Sequence, residues 1–138
     1  MQSKPILSRE DTVRIVSAAR EEAERNGWVV SIAVVDDGGH PLALERLDGC
    51  APIGAYIATE KARSAALGRR ETRQYEEMIN GGRTAFLSAP TLSGMLEGGI
   101  PLVVDGHVIG AVGVSGVKPD QDAQIARSGS ETLQSLLQ

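Results

Sequence analysis

Two carboxylates and an imidazole stand within five residues in Asp36-Asp37-Gly38-Gly39-His40. Imidazole changes charge near neutral pH, and a neighbouring carboxylate can orient its ring, so this group could move a proton or ligate a metal. Asp36 and His40 are the candidate acid/base pair, and His40 is the candidate metal ligand. Successive strand residues face opposite ways, so Asp36 and Asp37 need not converge. Asp and Gly also form turns with no chemistry attached. Pro41 holds the backbone of His40 extended, which fixes where its ring starts.

A second group is Tyr56, Lys61 and Arg63. Lys61 stands four residues from both Ile57 and Ala65, on the helical stripe expected to face a sheet. A lysine there needs an anionic partner, either a ligand acid group or a protein carboxylate. Arg63 adds a planar fork suited to carboxylates. One reading is a site for a small anionic ligand; the other is a solvated helix or an internal ion pair. Basic residues recur from Lys61 to Arg83, interleaved with Glu60, Glu71, Glu76 and Glu77. That pattern suits a mixed solvated face or an anion-attracting rim. Gly98-Gly99-Ile100-Pro101 and Gly110-Ala111-Val112-Gly113 mark places where a ligand or another backbone comes close, and Gly98 and Gly99 join the ligand-binding candidates. Cys50 is the single cysteine, which excludes an intrachain disulfide and a cysteine-based zinc site. No serine lies in a Gly-x-Ser-x-Gly elbow.

The elements that must position these groups follow from periodicity. Ser8 and Asp11 form a capping-box pattern before Val13, Val16, Ala19 and Ala23, an amphipathic helix ended by Asn26-Gly27. Trp28–Val35 and Leu42–Leu47 read as strands joined by the Asp36–Gly39 turn. Ile53–Leu67 returns to helical spacing with Gly68 as its stop, and a polar helix is expected over Arg69–Asn80. The glycine-rich stretch Gly81–Gly99 is irregular, with room for a short edge strand. Ile100–Val104 and His107–Val114 flank Asp105-Gly106, a type I′ hairpin signal. Pro119, Asp120 and Asp122 open a last helix. The order implies one α+β domain over residues 1–138, with helices packed on an antiparallel sheet. No dinucleotide or Walker glycine motif occurs.

With 14 basic and 18 acidic residues, the net charge is −4. A basic nucleic-acid footprint is therefore absent, and one Trp, two Tyr and one Phe leave few rings for base stacking. The N-terminus shows no secretory pattern and no apolar run is long enough to span a bilayer, so the expectation is a cytoplasmic protein with no membrane or nucleic-acid partner. Alanine- and leucine-rich helix faces, Ala58, Ala62, Ala65, Leu136 and Leu137, exceed what one sheet should cover, which predicts a homo-oligomer.

In combination, five pieces resemble the GlcG/HbpS family, also called the haem-degrading domain family, which includes the C-terminal domain of PduO. They are Ala33–His40, Ala43–Gly49, Lys61–Ala66, Gly98–Leu102, and Ile109–Gly116 followed by Asp120-Gln121-Asp122. The resemblance implies a profilin-like three-layer α/β/α arrangement around a five-stranded antiparallel sheet. It implies homo-oligomers from dimer to octamer, association with a catabolic pathway, and haem as the candidate cofactor. Residues and resemblance together predict a cytoplasmic small-molecule-binding homo-oligomer, with its pocket between the middle helix, the first hairpin and the Gly98-Gly99 loop. The alternative is a small cofactor-independent catabolic enzyme using acid/base chemistry on an anionic substrate.

Overall fold

The computed structural model describes residues 1–136, with side chains described through Gln134. Helix α1 (Arg9–Arg25) begins at the capping box, where Ser8 Oγ accepts from the Asp11 amide and the Asp11 carboxylate accepts from the Ser8 amide. It buries Thr12, Ile15, Val16, Ala19 and Ala23, while Val13 faces solvent. Strands β1 (Ser31–Asp36) and β2 (Pro41–Arg46) form the first hairpin, and β3 (Gly99–Val104) and β4 (His107–Ser115) the second. At the second turn Asp105 and Gly106 both take positive φ, as a type I′ turn requires.

The sheet has four antiparallel strands in the order β2-β1-β4-β3. This corrects the five-stranded expectation. The Gly81–Gly99 stretch supplies no further strand before β3; it holds a 3₁₀ turn, Thr84–Ser88, and an irregular segment. The α+β class stands.

Two unlike cores hold the sheet. On one face α1 and α4 (Pro119–Leu136) cover Ile32, Val34, Leu102, Val112 and Val114 with Ile15, Ile125 and Leu133. On the other, α2 (Pro52–Gly68) lies on Ala33, Val35 and Ala111 through Ala58, Ala62, Ala65 and Ala66. Small residues on both sides bring helix and sheet close. A Cβ at Gly113 would come 2.1 Å from the Ala58 carbonyl oxygen. The alanines that suggested a surplus oligomer face are thus fully covered by the sheet, because an all-alanine seam buries itself completely. The Leu137 side of that expectation, and the side chain of Leu136, lie outside the described residues.

Helix α2 ends with Arg69 in left-handed geometry, φ 58°, rather than with the glycine beside it. Gly68 serves a different need: the hydroxyl of Tyr75 occupies the space a Cβ would take. Tyr75 belongs to α3 (Thr72–Asn80), where it is buried and stacked on Phe86 at 5.3 Å. Among the described residues no helix is long and apolar enough to cross a membrane.

Candidate functional site

Helix α2 covers β1, β4 and β3 but leaves the outer strand β2 largely bare. Leu44 pairs with Ala33, so it shares the α2-facing side of the sheet, yet it is 52% exposed. Between this bare strand and the first half of α2 runs a groove of about 610 Å³. Ala33, Val35, Pro41 and Leu44 line it from the sheet, and Pro52, Ala55 and Tyr56 from the helix. Tyr56 stands at the groove 75% exposed. Arg46 borders it and has no ion-pair partner among the described residues. Glu60 also lines it, but its carboxylate accepts from Ser93 Oγ at 2.6 Å and lies 3.6 Å from Arg63.

The β1–β2 turn adjoins the groove through Val35 and Pro41. Asp36 organises it: one carboxylate oxygen accepts from the Gly38 and His40 amides at 2.9 Å each. His40 Nδ1 stands 3.1 Å from both oxygens of the same carboxylate. Burial pushes the Asp36 carboxyl up, but the two amides and the imidazole outweigh it and hold it below the usual carboxylate range. The ring is 77% exposed. With Nδ1 directed to Asp36, Nε2 is left to accept a proton or a metal. Asp37 turns away to pair with Lys4, which holds its carboxyl low, and Arg69 donates to its carbonyl oxygen at 2.6 Å. Among the described residues no three ligating side chains gather into a metal cluster.

The remaining candidates lie elsewhere. Lys61 is 3% exposed, and its ammonium donates to the Val114 carbonyl at 2.9 Å and to Asp122 at 3.1 Å. Asp122 is equally enclosed and also accepts from the Val117 amide. Burial pushes its carboxyl up, more than Lys61 and that amide pull it down. Lys61 is therefore occupied by protein atoms and does not reach the groove. Gly98 and Gly99 press on this pair and on α2: a Cβ at Gly98 would come 2.8 Å from the Lys61 ammonium, and one at Gly99 2.4 Å from the Lys61 carbonyl oxygen. Their missing side chains serve close packing. Arg63 donates to the Thr91 carbonyl at 2.7 Å, and its stem lies under the β1–β2 turn, 2.7 Å from where a Gly39 Cβ would sit. Of these candidates only Tyr56 lines the groove; Asp36 and His40 hold each other at the adjoining turn, where Asp36 faces Lys4, Leu7 and Ile109, and Lys61, Gly98 and Gly99 pack beneath α2. Leu44 and Arg46 were missed by sequence reasoning. The alternation of β2, with leucine on a face that a helix was expected to cover, carried no mark that the helix stops short.

Comparison with known proteins adds a second line. The family described as haem-degrading protein HbpS-like matches residues 7–131. The chain is 65% identical over 115 residues to protein GlcG of Escherichia coli K12, covering 83% of this chain and 85% of that one. Among solved structures it is similar to HbpS, with TM-score 0.85, 32% identity, and 96% and 94% of the two chains covered. It is also similar to the PduOC protein solved as a haem complex, with TM-score 0.82, 26% identity, and 92% and 94% covered.

Proposed function

The chain belongs to the HbpS-like family of haem-degrading proteins, and from that premise we propose that it is a small-molecule-binding protein that takes haem in the β2–α2 groove. The observation that carries this is the groove itself, an apolar slot left because α2 does not cover β2. Its volume falls within the roughly 300–1,000 Å³ of ligand sites. Haem is flat and apolar with two carboxylates on one edge. Ala33, Val35, Leu44 and Ala55 offer apolar walls, and the unpaired Arg46 suits the carboxylates. Haem iron needs one axial side chain, for which histidine and tyrosine both serve. Tyr56 lines the groove and His40 immediately precedes Pro41, which also lines it.

When bound, haem would supply iron-centred redox chemistry. The chain's own groups do the rest. Asp36 fixes the tautomer and direction of His40, Leu44 and the alanines exclude water from one face, and Arg46 orients the acid edge. The PduOC haem complex supports this reading of the fold.

Titration of haemin into the purified protein tests it. A saturable Soret band at one haem per chain is expected. Leu44→Asp, which puts a charge on the apolar wall, should weaken binding tenfold or more. His40→Asn and Tyr56→Phe separate the two axial candidates, since only the true ligand shifts the Soret maximum, and His107→Asn should change nothing. No saturable band, or unchanged binding by Leu44→Asp, would remove haem from this groove.

The Asp36–His40 pair favours a second reading, acid/base catalysis on a small anionic substrate without a cofactor. In that case His40→Asn slows turnover by the haem-free protein about 100-fold.

A further inference from the structure

A second cavity, of about 390 Å³, lies between α3 and the segment that follows the 3₁₀ turn. Its walls are apolar, with Ile79 from α3 facing Leu87, Leu92, Met95 and Leu96. Leu87 and Leu96 are 62% and 45% exposed, so the cavity opens to solvent. Two polar side chains enter the lining from α3, Glu76 and Asn80. They stand four residues apart, hence on one face of the helix.

Neither has a hydrogen-bond or ion-pair partner among the described residues. That sets Glu76 apart from the other glutamates from α2 through α3, while Glu97, next to Leu96, likewise has no hydrogen bond or ion pair among the described residues. Glu60 is held by Ser93 and Arg63, Glu71 by Arg127, and Glu77 by Arg73. Arg73, one turn before Glu76, is thus directed to Glu77, 3.8 Å away.

A molecule covering these walls also removes water from Glu76. An uncharged or anionic occupant would take water from that half-buried carboxylate without pairing it, which opposes binding. A protonated amine avoids that cost. We propose that this cavity binds a small organic cation: an amine whose ammonium meets the Glu76 carboxylate and the Asn80 side-chain carbonyl, and whose apolar body lies on Leu87, Leu92 and Leu96. This site is separate from the groove, and the two meet at Glu60, which lines the groove, accepts from Ser93 and packs on Gly94, both of which line this cavity.

The test uses n-hexylammonium against ¹⁵N-labelled protein. Saturable amide shifts confined to α3, the 3₁₀ turn and residues 92–96 are expected. Glu76→Gln keeps helix propensity and size while removing the charge, and should weaken binding tenfold or more. Hexanoate and hexanol should give no saturable shift there. Haemin binding by Glu76→Gln should match wild type, so failure at one site is told apart from failure at the other. The proposal is overturned by absence of saturable shifts, by binding that ignores Glu76→Gln, or by hexanoate binding as well as the amine.

Discussion

Asp36 sits where structure and chemistry use the same atoms. Its carboxylate closes the β1–β2 turn through two amides and also holds the His40 ring. Because its folded-state pKa lies below the ordinary value, the stability it contributes is present above the unfolded-state pKa, about 3.9, and is lost as pH falls through the folded value. Asp36→Asn keeps an acceptor for the amides but loses the charge. The variant should be less stable than wild type by about 1 kcal/mol near pH 6, the scale of one hydrogen bond to a charged group discounted for partial exposure. The gap should narrow toward pH 3, as urea unfolding at the two pH values would show; a constant gap would mean that the charge plays no part. The pairing of Asp36 with His40 was legible in the sequence because a four-residue turn and a following proline confine both. The partner of Lys61 was not, because Asp122 is 61 residues away on another element and no local periodicity links them.

At the scale of elements, the Lys61–Asp122 pair joins α2 to the start of α4 beneath β4. Lys61→Met retains the apolar stem but strands Asp122 in a dry site. Breaking a buried pair on one side costs about 3–5 kcal/mol. Burial already raises the Asp122 pKa, and loss of Lys61 raises it further. The native state then holds a proton that the unfolded state has released, so stability falls as pH rises through that window. The defect should be larger at pH 8 than at pH 5, and Asp122→Asn in the same chain should recover most of it. Chemical denaturation of the single and double variants reads this directly; equal losses at both pH values would show that Asp122 stays ionised in the native state. Gly113→Ala belongs to the same scale. Its methyl would meet Ala58 and Ala62 backbone at 2.1 and 2.5 Å, so α2 must lift off the sheet, and the variant should melt well below wild type. Strands and helices were legible here because hairpin turns and caps are local signals. The strand number was not. The glycine-rich Gly81–Gly99 stretch leaves its course to long-range contacts, such as Ser64 with the Ser93 carbonyl and Arg63 with that of Thr91, that no short window contains.

For the whole molecule, the bare strand decides what remains exposed. β2 is one of the two outer strands of the sheet, β3 being the other, and one row of its amides and carbonyls has no strand partner. Leu44 on it and Tyr56 near the start of α2 are exposed large apolar side chains on the groove side, Ile53 is exposed in the first turn of α2, and Leu42 is exposed on the α1 side of the same edge. A soluble monomer seldom leaves such a group uncovered beside an open edge. The helix faces from which the sequence suggested assembly are instead consumed by the sheet, at Ala58, Ala62 and Ala65. Self-association should therefore run through the edge of β2 and the first turn of α2, so that a second copy closes over the mouth of the proposed haem groove, and the mass is measured without haem. Light scattering at micromolar concentration should give a mass at least twice the 14.5 kDa of one chain. Leu42→Lys with Leu44→Lys, both at exposed positions, should bring the mass down to one chain while the circular dichroism spectrum is unchanged. Charge on an edge strand opposes edge-to-edge pairing without disturbing the strand's inner neighbours. A wild-type protein that scatters as a single chain, or a double-lysine variant that keeps the larger mass, would place the contact elsewhere or deny it.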